Sequence, residues 1–251
     1  MKIAVLGAGV MGRLVERAAE EAGHKVVGVV EPLDGQTLEM LFETPDAVID
    51  FSHPDNTDAL CGFCGARGLP AVIGCTGHDD AQKNQIEKLA CSCGVVMSAN
   101  FSCGINALLG LVFQAAKMLG EGFDAELVET HHRRKADAPS GTALMLIEAL
   151  KKGLACGERE LVFDRRNRGK RTESEIGIST VRGGDVCGKH EIIFLGDGET
   201  ISLTHTASDR SVFARGALKA AQWLCVSGKK GLFSMTDVIK GECYAGRYDV
   251  E

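Results

Sequence analysis

Lys2-Ile3-Ala4-Val5-Leu6-Gly7-Ala8-Gly9-Val10-Met11-Gly12 decides how this chain folds. Lys2 to Leu6 is an apolar run short enough for a strand, and Leu14 to Ala22 has helical spacing. Between them lies G-x-G-x-x-G in the strand–turn–helix setting of a dinucleotide-binding domain. Gly7 permits the tight turn, Gly9 lets the backbone approach a pyrophosphate, and Gly12 allows close packing of helix on strand. Ala8, Val10 and Met11 complete the loop. A second strand, His24 to Val30, ends at Glu31, about 20 residues on, where an acid meets the ribose hydroxyls. The glycine spacing alone is a weak signal; with its setting and the acid it reads as a cofactor site rather than a packing turn.

The alternation continues as a parallel sheet with covering helices requires. Asp46 to Phe51 reads as a strand entering Ser52-His53-Pro54, and Asp55 to Ala66 as a helix. Pro70 to Gly74 is a strand ending in Cys75-Thr76-Gly77, with a helix from about His78 to Ala90. Gly94 to Ser98 is a strand ending in Ala99-Asn100-Phe101-Ser102. Ligands bind outside the carboxyl ends of such strands, which puts Ser52, Gly74, Thr76, Gly77, Ala99, Asn100 and Phe101 on the cofactor side. His53 and His78 read as surface histidines. After the apolar helix Ile105 to Leu119 the pattern changes. Phe123 to Thr130, Ile176 to Arg182, His190 to Leu195 and Thr200 to Thr206 alternate like strands, with a helix near Thr142 to Lys151. Arg165, Arg166 and Arg168 fall in a polar stretch that reads as a solvated loop rather than an anion site. Phe213 to Val226 has helical spacing with Trp223 in the core, and Gly231 to Ile239 reads as a last short helix. The expected architecture is α/β: an N-terminal Rossmann dinucleotide-binding domain and a second α+β domain containing a mixed sheet.

The chain has 251 residues, 45% of them hydrophobic and 25% charged, with a formal net charge of -6. That balance argues against a nucleic-acid partner. No run approaches the roughly 18 apolar residues of a membrane span, and Met1 enters a strand at once, leaving no room for a signal peptide. The expectation is a cytoplasmic protein. Its 10 cysteines then read as free buried thiols. Cys61 and Cys64 have dithiol or zinc-ligand spacing, with Cys91 and Cys93 nearby, but an i,i+3 pair on a helix shares a face and packs. No metal is expected.

Glu129-Thr130-His131-His132-Arg133-Arg134-Lys135-Ala136-Asp137-Ala138-Pro139-Ser140-Gly141-Thr142 concentrates cations in an acidic protein. Ser140 or Thr142 after Pro139 signals a helix start, and helix N-termini attract anions. An isolated charge run is usually a solvated loop; adjacent histidines, one lysine and Ser-Gly-Thr read instead as an active site for a small, multiply charged anion. Histidine and lysine beside other cations can titrate near neutrality, which suits proton donation. Together the motifs suggest a nicotinamide oxidoreductase acting on a carboxylate.

Residues 129–144 closely resemble the signature of the dihydrodipicolinate reductases of lysine and diaminopimelate biosynthesis. The likeness extends over nearly the whole chain: Val48 to Ser52, Gly74 to Gly77, Ala99 to Ser102, Asn106, Arg182 to Asp185 and Thr204 to Ser208 match further motifs. The resemblance implies reduction of a cyclic dicarboxylate by NADH or NADPH. It implies Lys135 as proton donor, His131 as acid/base, and His132, Lys135, Ser140, Gly141 and Thr142 as holders of the two carboxylates. It also implies a cofactor domain of residues 1–102 and 212–251, a substrate and oligomerisation domain of 103–211, and a homotetramer built by paired sheets. Two departures bear on the cofactor. Gly9-Val10-Met11-Gly12 is one residue shorter than the family's usual loop and lacks its arginine, and Pro32 stands where many relatives carry an arginine after the acid. NADH is therefore expected to serve at least as well as NADPH. The rivals are a related amino-acid dehydrogenase, which ammonia-dependent activity would reveal, and a non-catalytic dinucleotide sensor, which would not need His131 and Lys135 together.

Overall fold

Ile3, Ala4, Val5 and Leu6 are all buried, the environment of a central strand covered on both faces. The protein is described by a computed structural model over residues 1–154 and 158–243. In chain order it forms β1 (Lys2–Leu6), α1 (Val10–Glu21), β2 (Lys25–Val30), β3 (Ala47–Asp50), α2 (Thr57–Arg67), β4 (Ala71–Ile73), α3 (Asp80–Ala90) and β5 (Gly94–Met97). Then come α4 (Cys103–Leu119), β6 (Asp124–His131), α5 (Gly141–Leu154), β7 (Glu160–Val162), β8 (Glu175–Arg182), β9 (Gly188–Gly196) and β10 (Glu199–Ala207). It closes with α6 (Ser211–Ser227), β11 (Gly231–Phe233) and α7 (Met235–Cys243). Two compact units result: Met1–Cys103 with the segment from Arg210, and Gly104–Asp209. The part of the expected return segment beyond residue 243 lies outside the described residues.

The first unit carries a parallel sheet in the order β11-β5-β4-β3-β1-β2. The order reverses between β1 and β3, and such a switch point is where doubly wound sheets bind ligands. The loops leaving those strands touch. A Cβ on Gly7 would lie 2.8 Å from the Phe51 carbonyl oxygen, and Gly7 has a φ of +96°, so both space and backbone conformation call for glycine. On one face, Ala18 and Ala19 of α1 and Ala214, Ala217 and Ala221 of α6 pack with Val5, Ile49, Val72 and Val96. On the other, Leu60 and Phe63 of α2 and Ile86 and Leu89 of α3 pack with Leu6, Val48, Ile73 and Val95. Consecutive strand residues thus face opposite layers, which explains why these strands read as unbroken apolar runs.

Two of the boundaries that differ from the sequence expectation have a visible cause. The helix expected over Gly231 to Ile239 divides: Gly231–Phe233 pairs with β5 as an edge strand, and only Met235–Cys243 is helical. Reciprocal bonds between Ser234 and Asp237 start that helix late, each side chain accepting from the other's amide at 3.4 and 2.8 Å. Likewise α3 begins at Asp80 because Asp79 and Gln82 form a capping box.

The second unit carries a mixed sheet in the order β10-β9-β6-β8-β7. β6 runs parallel to β8 and antiparallel to β9. Ile105, Leu108 and Val112 of α4 and Leu146, Ile147 and Leu150 of α5 cover Leu127, Ile176, Ile178, Ile192 and Phe194. Strand β7 is an addition to the sequence reading, being only an edge segment beside the arginine-rich stretch. Contrary to the expectation that no run is long enough, Cys103–Gly122 could cross a membrane by length and composition; its Ile105, Leu108, Val112 and Ala116 are core residues of this unit.

Candidate active site

Along β6 the inward-facing residues are Ala125, Leu127, Glu129 and His131, at every second position. The first two are apolar core; the last two bring a carboxylate and an imidazole to the strand end, where α5 begins. Glu129 is 0% exposed and His131 7%. Register supplies their partners: His131 stands beside Arg182 on β8, and Glu129 beside His190 on β9. Side chains paired in this way lie close enough to interact. The Arg182 guanidinium donates to Glu129 at 2.8 Å, and the Ser140 amide donates to both carboxylate oxygens at 3.2 Å. His131 Nδ1 and His190 Nε2 lie 3.4 and 3.7 Å from the same carboxylate.

Burial works to raise the Glu129 carboxyl, but hydrogen bonds from Ser140 and Arg182 outweigh it and hold the group below the ordinary carboxylate range. Burial depresses the His131 imidazole; Lys135 and Arg182 push the same way, while Glu129 opposes them. His190 is pushed down to about 4, by burial first and then by His131. Glu129, His131 and His190 bring ligand atoms within 4.8 Å of one another, a spacing a metal could use. The Arg182 guanidinium on the same carboxylate repels a cation there, so the cluster is a charge-balanced hydrogen-bonding network.

Past the strand, His132 is half-buried and its Nδ1 has no hydrogen-bond partner among the described residues. Lys135 Nζ lies 2.9 Å from the Asp137 carboxylate, and Arg133 and Arg134 are exposed. Ser140 starts α5: its hydroxyl accepts the Ala143 amide at 3.1 Å and lies 3.1 Å from His190 Nε2. Gly141 and Thr142 are the first residues of the helix. Two amides at this helix start are already taken: Glu129 accepts from Ser140, and the Ser140 hydroxyl accepts from Ala143. Glu129, Arg182 and His190 were missed as site residues. Sequence reading met Glu129 and Arg182 only as members of motifs, and their pairing depends on strand register.

In the first unit, Gly9 is the residue before α1, no side chain caps that helix, and its first turn holds no acid. A Cβ on Gly9 would meet nothing within 4 Å. An uncapped helix N-terminus facing open space fits a pyrophosphate. At Gly12 a Cβ would overlap the Gly7 carbonyl oxygen, so close packing holds the loop. The Ala8 amide donates to Glu31 at 2.7 Å; Val10 is exposed and Met11 packs against the core. The Ser52 amide and hydroxyl donate to buried Asp50 at 2.8 and 2.6 Å. Gly74 leaves room for the Phe51 ring, while Thr76, Gly77 and Ala99 are exposed. Asn100 is buried and accepts the Ser102 amide at 2.8 Å. Phe101 differs from the others: its ring lies in the core, edge-on to Phe51 with centroids 5.7 Å apart. The parallel sheet gathers the rest at the carboxyl ends of its strands.

Other polar candidates are accounted for by packing. His53 is exposed, but His78, expected at the surface, is buried 3.5 Å from the Cys75 thiol, which donates to Asp50 at 3.2 Å. Burial pushes the Cys61 thiol up to about 11 and Cys64 higher still, which leaves both protonated and suited to packing. Cys91 and Cys225 are exposed, unlike the buried thiols expected; the side chains of Cys156 and Cys243 lie outside those described. Arg165 is ion-paired to Glu126 and Glu175 at 2.7 Å each, Arg166 to Asp164, and Arg168 to Glu160, so none is an uncommitted anion ligand.

Two family descriptions match the chain: "Dihydrodipicolinate reductase, N-terminus" over residues 1–101 and "Dihydrodipicolinate reductase, C-terminus" over 104–239. The 4-hydroxy-tetrahydrodipicolinate reductase of Caulobacter vibrioides is 43% identical over 251 aligned residues, which span 95% of this chain and 97% of that protein. The protein of the same name from Alkaliphilus metalliredigens is 40% identical over 95% of this chain and 99% of its own. Among solved structures, a dipicolinate-bound dihydrodipicolinate reductase from Paenisporosarcina sp. TG-14 has a TM-score of 0.72. It is 24% identical, covering 93% of this chain and 97% of that one, a likeness in fold.

Proposed function

This chain belongs to the dihydrodipicolinate reductase family, and from that premise we propose how its residues divide the work. Its function is the NAD(P)H-dependent reduction of 4-hydroxy-tetrahydrodipicolinate to tetrahydrodipicolinate in lysine and diaminopimelate biosynthesis. The first unit holds the dinucleotide through Gly7 to Gly12, Glu31, Ser52, Gly74, Thr76, Gly77, Ala99 and Asn100, with Phe101 fixing its loop from the core. The second unit holds the substrate and forms the assembly, a homotetramer; the exposed apolar side chains Val181, Leu195 and Ile201 of its sheet suit pairing with another copy.

When bound, the cofactor supplies a hydride. Lys135 donates the proton that completes reduction, and His131 acts as the acid/base beside it. His132, Lys135, Ser140, Gly141 and Thr142 hold the two carboxylates of the substrate. The observation that carries this assignment is the pair of groups left to a ligand at the end of β6. His132 Nδ1 is buried without a hydrogen-bond partner among the described residues, a deficit that a hydrogen-bonding ligand relieves. Among the described residues the Lys135 ammonium is paired with Asp137, itself 60% exposed, and such surface pairs are worth about 1 kcal/mol or less. A substrate carboxylate can displace it. NADH serves at least as well as NADPH, because Pro32 offers no cation to a 2′-phosphate. The setting is the cytoplasm, and neither nucleic acid nor membrane is a partner.

The test is NADH and NADPH oxidation by the purified protein, with substrate made in situ from pyruvate and aspartate semialdehyde by a synthase. Oxidation requiring both precursors supports the reductase. Oxidation that requires ammonia and an oxo acid instead would favour an amino-acid dehydrogenase.

A further inference from the structure

A carboxylate with no access to solvent sits beside the acid/base pair, and the chain commits four elements to it. Burying an isolated carboxylate costs several kcal/mol unless hydrogen bonds compensate it. For Glu129, 0% exposed on β6, the Ser140 amide at the start of α5 donates at 3.2 Å to each oxygen. Arg182 of β8 donates at 2.8 Å. The same guanidinium donates to the carbonyls of Asp137 at 2.6 Å and Lys135 at 3.3 Å. One arginine thus ties the buried carboxylate to the backbone of the turn that carries the proton donor.

The histidines complete the arrangement. His131 Nδ1 is 3.4 Å from Glu129 Oε2, too poorly aligned for a full hydrogen bond, and finds no other partner among the described residues. Such contacts are commonly long or poorly aligned in the free enzyme and tighten when substrate binds. The His190 ring of β9 sits edge-on to His131, with centroids 5.0 Å apart and planes at 72°. On the opposite nitrogen, a Cβ at position 188 would come 3.1 Å from His131 Nε2, so glycine there keeps Nε2 clear. The charged and titratable groups around His131 are Glu129 on its own strand, Lys135 and Asp137 in the turn, Arg182 on β8 and His190 on β9.

We propose that Glu129 is the positioning residue of this site: it holds His131 with the proton on Nδ1, leaving Nε2 to exchange protons with substrate, and through Arg182 it fixes the Lys135 turn. The proposal rests on the roles assigned above to His131 and Lys135.

The experiment is Glu129→Gln in the full-length enzyme, which keeps shape and an acceptor oxygen but removes the charge. The expected result is a fall in kcat on the order of ten- to a hundredfold, part of the roughly 10²–10⁴ that acid–base catalysis contributes. NADH affinity should stay unchanged, and the acid/base limb of the pH profile should move to lower pH, because the carboxylate is what supports the charged imidazole. Wild-type kcat and pH profile in the variant would overturn the proposal. Should Glu129→Gln fail to fold, ¹⁵N spectra of histidine-labelled wild-type protein decide: a proton on Nδ1 of His131 supports it, and the Nε2–H tautomer overturns it. His131→Ala separates the two readings. Unchanged kcat there removes the role of His131 and this proposal with it, whereas loss in His131→Ala with none in Glu129→Gln removes the positioning role alone.

Discussion

Glu31, at the end of β2, accepts a hydrogen bond from the Ala8 amide at 2.7 Å, joining the acid to the glycine loop before any cofactor arrives. Its other oxygen takes the Leu33 amide at 3.2 Å. Between them Pro32 has neither an amide proton nor a charge. A 2′-phosphate brought to this corner meets a carboxylate and a proline; a 2′-hydroxyl meets an acceptor already oriented for it.

Pro32→Arg should therefore raise the NADPH to NADH ratio of kcat/KM by about tenfold or more, since a hydrogen bond to a charged group is worth roughly 1.5–3 kcal/mol. Steady-state rates with each cofactor read this directly. An unchanged ratio counts against the account of Glu31 and Pro32.

Lys135→Ala should lower kcat by roughly 10²–10⁴, the usual range for losing a proton donor. NADH affinity, measured by fluorescence titration, should hold, because Lys135 belongs to the second unit. A variant that no longer binds NADH would rule out this role for the lysine.

The two loop glycines should separate stability from binding. Gly9→Ala adds a methyl that meets no protein atom within 4 Å, so Tm should stay put while NADH affinity falls. Gly12→Ala drives the same methyl into the Gly7 carbonyl, and overpacking of this kind costs about 1–3 kcal/mol. Thermal melts and NADH titrations of the two variants check the contrast; equal melting temperatures would refute it.

Acid should weaken the fold in a defined window. His190 titrates at about 4 when folded against about 6.5 in an unfolded chain. As pH falls below 6.5 the unfolded state takes up the proton first, so stability declines until about pH 4 and then levels for this group. The loss is on the order of 3 kcal/mol. Glu129, held below its ordinary value, adds its own loss as pH falls into and below the ordinary carboxylate range. Urea unfolding of His190→Gln should be flatter between pH 6.5 and 4 than that of the wild type; matching slopes would clear His190 of the effect.

The sequence carried the local parts of this protein well. The β1 loop was readable because turn, helix start and acid all lie within one βαβ unit, and β8 to β10 because each runs eight or nine residues and glycine-containing turns separate them. Strands of three residues, β7 and β11, are too short for a period to show, and Gly231–Phe233 was absorbed into the helix that follows it. The candidate signature is contiguous, so His131, His132, Lys135 and Ser140 could be proposed from sequence alone. Arg182 and His190 could not, since each becomes a neighbour of the signature only when β8 and β9 pair with β6 in one register. His78 was misjudged for a like reason: it is buried beside Cys75, whose thiol reaches Asp50 through the pairing of β3 with β4.

Strand β11 and helix α6 complete a sheet and core that β1 begins. On the ribosome, this inverts the usual order in which the N-terminal domain folds first. The second unit, Gly104–Asp209, is contiguous and can fold as it emerges, while β1 to β5 wait for residues still being translated. At typical elongation rates that interval is on the order of ten seconds. Through it the nascent chain shows the face that Ala214, Ala217 and Ala221 will cover, so chaperone demand in this protein falls on the half that is made first and finished last.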